Sequence, residues 1–492
     1  MRGWPRHPRI MEINTWVWLD GLGKSQGHEV TLAMVPREAW NSLAELRLDA
    51  VWLMGVWERS PHGLRIALED KGNRDEFARA LPDCTPADVA GSPYCVRRYE
   101  VDERFGGNSG MAVARKELAK RGLRLILDYV PNHVAPDHPW VTDHPDYLIQ
   151  GGLDDLGDDP ASYRDLEGRI FACGRDPYFP AWQDVLQVNA FHPGLRRASV
   201  DTAISIAEKC DGMRCDMAML LMNDVFARTW GPKAGSQPAD EFWPGLIGHV
   251  RKSHPDTLFI AEAYWDLEWD LQQQGFDYCY DKRLYDRLLS ASADDVRNHV
   301  QADLVYQNRL IRFIENHDEE RAASAFSPEK EMAAAVAMAT LPGGKLFHEG
   351  QFEGRRVKLP VFLKRRPQEP VDSRLNEFYK RLLASTDNET MRQGRWRLCE
   401  LWGWPDNGTC TNLVAWSWSK GSDNCLVVVN LSDRPSQARV HVSGVNLAGE
   451  MLHMADLMSG ERFERSGSEV AEIGLYVDLG PWAFHVLGFE CP

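Results

Sequence analysis

The sequence predicts an α/β fold: a (β/α)8 barrel with a small subdomain inserted after the third strand and a C-terminal antiparallel β-domain. Three observations lead there. Over about the first 390 residues, short apolar runs alternate with longer helical patterns, the mark of a parallel sheet wrapped by helices. One connection, from Asn132 to about Asn189, breaks into Asp, Gly and Pro clusters and is too long for a plain strand-to-helix loop. After about Leu398 the texture changes to short alternating strands and turns.

The candidate barrel strands, in order, are Ile10–Asn14, Ala50–Met54, Leu123–Tyr129, Gly212–Met217, Leu258–Ala263, Tyr278–Tyr280, Leu310–Ile314 and Lys345–His348. Leu123–Leu127 is almost continuously apolar, as a strand covered on both faces should be. Helical stretches such as Gly110–Lys120 and Pro193–Cys210 separate them, and eight strands suffice to close a barrel. The long connection carries runs such as Gly151-Gly-Leu-Asp-Asp-Leu-Gly-Asp-Asp-Pro160 and reads as a functional loop or small subdomain, about 134–188. At the C-terminal end, Leu426–Leu431, Ala438–Val442 and Ala483–Phe489 read as antiparallel strands. The expected organisation is a barrel over 1–395, its insert, and a β-sandwich over 396–492.

Composition excludes several classes of function. With 72 acidic against 56 basic side chains the formal charge is −16, which argues against nucleic acid, since binding it draws on clustered Lys and Arg. A neutral sugar is compatible with that charge. The apolar stretch Ile10–Leu19 contains Glu12 and Asn14 and leads to no small-residue cleavage site, so no signal peptide is expected. No run of eighteen apolar residues occurs, so no membrane span is expected either. The ten cysteines are scattered without a CxxC pair and read as reduced, packed thiols, and a cytoplasmic location follows as the expectation.

In a barrel of this kind, chemistry sits where strands end at the C-terminal face. Four segments place carboxylates or imidazoles there: Asp128-Tyr-Val-Pro-Asn-His133, Gly212-Met-Arg-Cys-Asp-Met217, Ile260-Ala-Glu-Ala-Tyr264 and Glu315-Asn-His-Asp-Glu319. A single Asp or His at a strand end is ordinarily structural. Four such strand ends around one mouth point to a site. Acetal cleavage suits it, because a glycosidic oxygen leaves only when protonated and the sugar then passes through an oxocarbenium-like state that a second carboxylate can trap. Neither role needs a metal. Arg214 precedes Asp216 by two residues on a strand, shares its face, and can keep that carboxylate ionised. A proton donor must hold its proton at the outset, so its neighbours are expected to disfavour its charge.

The four segments, in this order, resemble the four sequence blocks of the α-amylase family, glycoside hydrolase family 13. An insertion after strand three and a terminal β-domain agree with it. The resemblance implies Asp216 as nucleophile, Glu262 as general acid/base and Asp318 as the third carboxylate, gripping sugar hydroxyls. It implies Arg214, His133 and His317 as contacts around the scissile unit, and Asp128 as support for the arginine. Tyr94, in Ser92-Pro-Tyr-Cys-Val-Arg-Arg-Tyr99, matches a sugar-stacking tyrosine more loosely, since Arg98 stands where the family usually has an Asp. Trp16, Trp18, Trp57, Trp182, Trp243 and Trp265 are candidate stacking platforms, although most of the eighteen tryptophans must be core or rim residues.

Two departures qualify the resemblance. Met219 and Leu220 replace a Lys-His pair that many endo-acting members carry after the nucleophile, so the leaving-group side must be recognised differently. The family's usual calcium takes the Asn of the first block, here Asn132, with acids of the insert and a main-chain oxygen from that missing His position. Acids at 154–159 and Asp184 are available. The chemistry requires no cofactor; calcium remains an option at Asn132. The expected reaction is retaining hydrolysis of α-1,4-glucosidic bonds in malto-oligosaccharides or starch. An α-glucosidase or transglycosylase, and a non-catalytic sugar-binding relative, are the alternatives.

Overall fold

The structure, a computed structural model, describes residues 3–442, 447 and 451–490. Eight strands close a barrel in chain order: Arg9–Asn14, Ala50–Met54, Arg124–Tyr129, Gly212–Cys215, Leu258–Ala261, Tyr278–Tyr280, Leu310–Arg312 and Gly344–His348. Each expected strand is present; the fourth, fifth and seventh each end two residues early, while the third ends at Tyr129 as expected. Asp216 and Glu262 stand just beyond their strands, their amides still bonded to Tyr129 O and Cys215 O, whereas Asp128 lies inside the third strand. Neighbouring strands pair in parallel, with Arg214 level with Asp128 on one side and Ile260 on the other. The second, third, fourth and fifth strands are buried almost throughout, as strands beneath helices must be.

Helix ends follow local chemistry. The Asn14 side chain accepts from Val17 N at 3.3 Å and starts the helix Thr15–Gln26 directly off the first strand. Pro193 opens Pro193–Ala207 with its fixed φ, while His192 accepts from the Gly194 and Leu195 amides.

The insertion is not structureless. Its segments His133–Val134, Tyr163–Leu166, Arg169–Gly174 and Trp182–Gln187 form a four-stranded antiparallel sheet. Val134, Leu148, Phe171, Leu186, Val188 and Leu195 give it a buried core of its own. Sequence pattern missed the sheet because its strands are short and broken by polar residues, so pairing partners far apart in sequence define them.

The chain divides into two compact units. One holds Ile10–Tyr280 and Val357–Gln368; the other holds Pro5–Arg9, Asp281–Arg356 and the chain from Glu369 onward. The change of texture near residue 398 falls inside the second unit. There, a six-stranded sheet and a three-stranded sheet lie over a core that includes Leu413, Leu426, Val428, Val440, Leu475 and Leu487. Ser436–His441 alternates buried and half-buried residues, the period-two pattern of a strand with one face inward.

Candidate active site

In the first unit, residues from four neighbouring strands converge on one guanidinium. Arg214 is 1% exposed; its Nη1 lies 2.7 Å from Asp216 Oδ1, and its Nη2 lies 2.8 Å from Glu262 Oε2. Nε donates to Tyr280 OH at 3.3 Å. Asp128 Oδ1 is further off, 3.9 Å from Nη1. Burial works against a charge here, but Glu262, Tyr280, Tyr94 and Asp216 together push Arg214 well above the usual arginine range. A permanent cation thus sits between two buried carboxylates, Asp216 at 5% and Glu262 at 3% exposure.

Asp128 is fixed from the second strand. Trp52 Nε1 donates to its Oδ1 at 3.1 Å and the Gly55 amide to its Oδ2 at 2.9 Å. Gly55 has φ +76°, and a Cβ there would meet Pro93 at 2.7 Å, so only glycine turns that N–H toward the carboxylate without a clash. Asp128 therefore touches the arginine weakly and the second strand strongly.

Glu262 is gripped more tightly than the sequence suggests. The Met217 amide donates to Oε2 at 2.7 Å and Tyr264 OH to Oε1 at 2.9 Å, in addition to the Arg214 contact. Met217 reaches it from the left-handed region, φ 42° and ψ 46°, a conformation costing a side-chain-bearing residue about 1–3 kcal/mol. That turn, immediately after Asp216, aims one N–H at the second carboxylate. The neighbours of Glu262 are donors to its carboxylate, while its burial works against the charge. Tyr264 was legible in principle, since residue i+2 on an extended segment shares a face. Neither the Met217 turn nor the Tyr280 contact leaves a sequence signal.

His133 is buried, packs edge-on against Trp182 with ring centroids 5.3 Å apart, and is lowered to about 4 by burial, so it is neutral near pH 7. Tyr94 is half-buried, with the Arg214 guanidinium carbon 5.3 Å from its ring centroid. Arg98 is half-exposed, 3.7 Å from Glu58. Among the candidate platforms, Trp57 and Trp243 are core residues at 1% and 0% exposure and present no face to a ligand. Trp16 stacks with the Arg59 and Arg104 guanidiniums, and Trp18 packs on Trp40. Trp182 and Trp265 are half-buried; Trp265 meets the exposed Tyr178 edge-on at 4.8 Å.

In the second unit, His317 Nε2 lies 3.0 Å from Asp318 Oδ2, the histidine buried and the aspartate side chain 42% exposed. Asn316 Oδ1 accepts from the Asp318 and Glu319 amides and sets this turn. Glu315 braces it from below, 3.0 Å from Arg321 and 3.1 Å from His348, and accepting from Ala322 N at 2.7 Å. Burial raises Glu315 to about 7 despite Arg321.

The residues expected at a calcium site do not fit one. Asn132 Oδ1 accepts from Gln187 Nε2 at 3.0 Å. Asp155 is engaged by Lys233 at 2.6 Å and by the Gly152 amide. Asp184 is half-buried, and desolvation lifts its carboxyl to about 6. Leu220, at the expected main-chain position, is buried in a short 3-10 segment. Among the described residues no three His, Cys, Asp or Glu gather closely enough to hold an ion.

Comparison with known proteins adds four findings. The family model for the α-amylase catalytic domain matches residues 40–170. α-Amylase MalA of Haloarcula japonica is 24% identical over 404 residues, 80% of this chain and 51% of that protein. The chain thus spans about half the length of that relative. An α-1,4-glucan:maltose-1-phosphate maltosyltransferase of Cereibacter sphaeroides is 27% identical over 189 residues, 37% of this chain and 23% of that one. Among solved structures, the maltogenic α-amylase AmyB of Thermotoga neapolitana superposes with a TM-score of 0.71 at 18% identity, covering 99% of both chains. At that identity the likeness speaks for the fold.

Proposed function

We propose that this chain is a member of the α-amylase family and a retaining α-glycoside hydrolase acting on α-1,4-glucosidic bonds of malto-oligosaccharides or starch. The observation that carries the reading is the single buried guanidinium shared by Asp216 and Glu262. One planar group contacting both carboxylates favours the short separation, about 5–5.5 Å, at which one carboxylate attacks the sugar directly.

In this reading Glu262 gives its proton to the glycosidic oxygen as that bond to C1 breaks, and an Asp216 oxygen bonds to C1. Water then attacks C1, Glu262 takes its proton, and the Asp216 ester bond breaks, restoring both groups. Arg214 keeps Asp216 anionic for the first step. The Met217 and Tyr264 donors favour the carboxylate form of Glu262 required in the second, and protonation for the first must compete with them. His133, neutral, His317 and Asp318 are assigned to sugar hydroxyls, and Tyr94 to the sugar face. Asp128 supports Arg214.

Proton NMR of malto-oligosaccharide cleavage tests the mechanism. The first product should be the α-anomer; initial β-anomer would overturn it. Transfer to a sugar acceptor is the second reading, and the maltosyltransferase relative favours keeping it in view. The product profile with and without acceptor sugars separates the two. A cytoplasmic location belongs to the same proposal. It is supported by cysteines that form no disulfide among the described residues, and no described helix is long and apolar enough to cross a membrane.

A further inference from the structure

The Gln187 side chain ends the last strand of the inserted sheet and is fully buried. Its Nε2 faces three oxygens: Asn132 O at 2.9 Å, Asn132 Oδ1 at 3.0 Å and Val188 O at 3.1 Å. Two of these are main-chain carbonyls, which can only accept, so they fix which end of the amide carries nitrogen. The other end, Oε1, accepts from Asn132 Nδ2 at 3.3 Å. Asn132 follows the third barrel strand, and the next residue, His133, pairs with Gln187 in the antiparallel ladder.

A cluster of convergent oxygens at the root of an inserted subdomain needs a positive partner, and an ion is one solution. Here two polarised N–H bonds serve three oxygens, and Asp155, one of the acids an ion would draw on, is engaged by Lys233 and the Gly152 amide. We infer that the Gln187 amide takes the place of a cation, so that the inserted sheet and His133 are held to the barrel without metal. The inference is independent of the glycosidase reading, because its readouts are metal content and thermal stability.

The test uses the purified full-length chain. After equilibration with calcium chloride and gel filtration, elemental analysis should find calcium far below one ion per chain, and EDTA should leave Tm unmoved. One bound calcium whose removal lowers Tm would overturn the inference. Gln187→Met keeps the length of the side chain but removes the donor, leaving Asn132 Oδ1 and Val188 O short of it, while Asn132 O keeps the Val188 amide. Tm should fall by about 3–8 °C, and added calcium should not restore it. An unchanged Tm, or full rescue by calcium, would count against Gln187. Should Gln187→Met not fold, the wild-type metal content and EDTA response decide alone.

Discussion

Tyr264→Phe isolates one of the contacts that govern the proposed acid/base. The hydroxyl donates to Glu262 Oε1 at 2.9 Å, and its loss deletes one atom from a half-buried ring without opening the core. A hydrogen bond to an ionised group contributes about 1.5–3 kcal/mol. At 1.36 kcal/mol per tenfold change in proton affinity, losing it should favour protonated Glu262 by about one to two pH units. The sign follows from which form the donor serves. Tyr264 O–H stabilises the carboxylate, the first step needs the acid, and so the variant retains its acid to higher pH. The alkaline limb of kcat/KM on maltoheptaose should therefore move upward by about one to two pH units, while the second step slows modestly for want of an oriented base. A full pH profile with Tm measured alongside is the assay. A limb that stays in place or moves to lower pH at unchanged Tm would refute the reasoning, because a merely structural role cannot shift it upward.

Three further outcomes follow from the same geometry. Asp216→Asn cannot form the glycosyl ester and should lose several orders of magnitude in turnover with its fold intact; more than about a tenth of wild-type activity would exclude the nucleophile role. Glu262→Gln should cripple natural glucans yet still cleave glycosyl fluorides, with azide restoring turnover by attacking the ester without a base; absence of azide rescue would dissociate Glu262 from that step. Asp281 is buried, 2.8 Å from His299 and 3.1 Å from the fully buried Arg312, and these two partners hold its carboxyl well below the usual range despite burial. Asp281→Ala strands the Arg312 charge and should cost about 3–5 kcal/mol in chemical denaturation. Because the folded value is depressed, that contribution is complete above the ordinary carboxylate pKa of about 4 and shrinks as pH falls below it. A wild-type-to-variant gap that instead grew toward low pH would contradict the assignment.

By itself, the sequence determined the barrel and the places where polar groups interrupt it. Eight apolar runs spaced by helical patterns are a local property, because a strand buried on both faces must be apolar along its length. Asp128, Asp216 and Glu262 were visible for the same reason: each is a charge at the end of such a run. Arg214 followed from the two-residue repeat of a strand. Tertiary structure alone decided how those groups are partnered. The left-handed turn at Met217 that aims an amide at Glu262 depends on the fourth and fifth strands lying side by side, and nothing in its residue type requires it. Tyr280 meets Arg214 from the sixth strand, and Gln187 meets Asn132 across 55 residues, so neither has a local signature. The tryptophans make the same point in reverse. Trp57 and Trp243 have the chemistry of a sugar platform, but burial made them core, and burial is a sum over neighbours that one chain position cannot reveal.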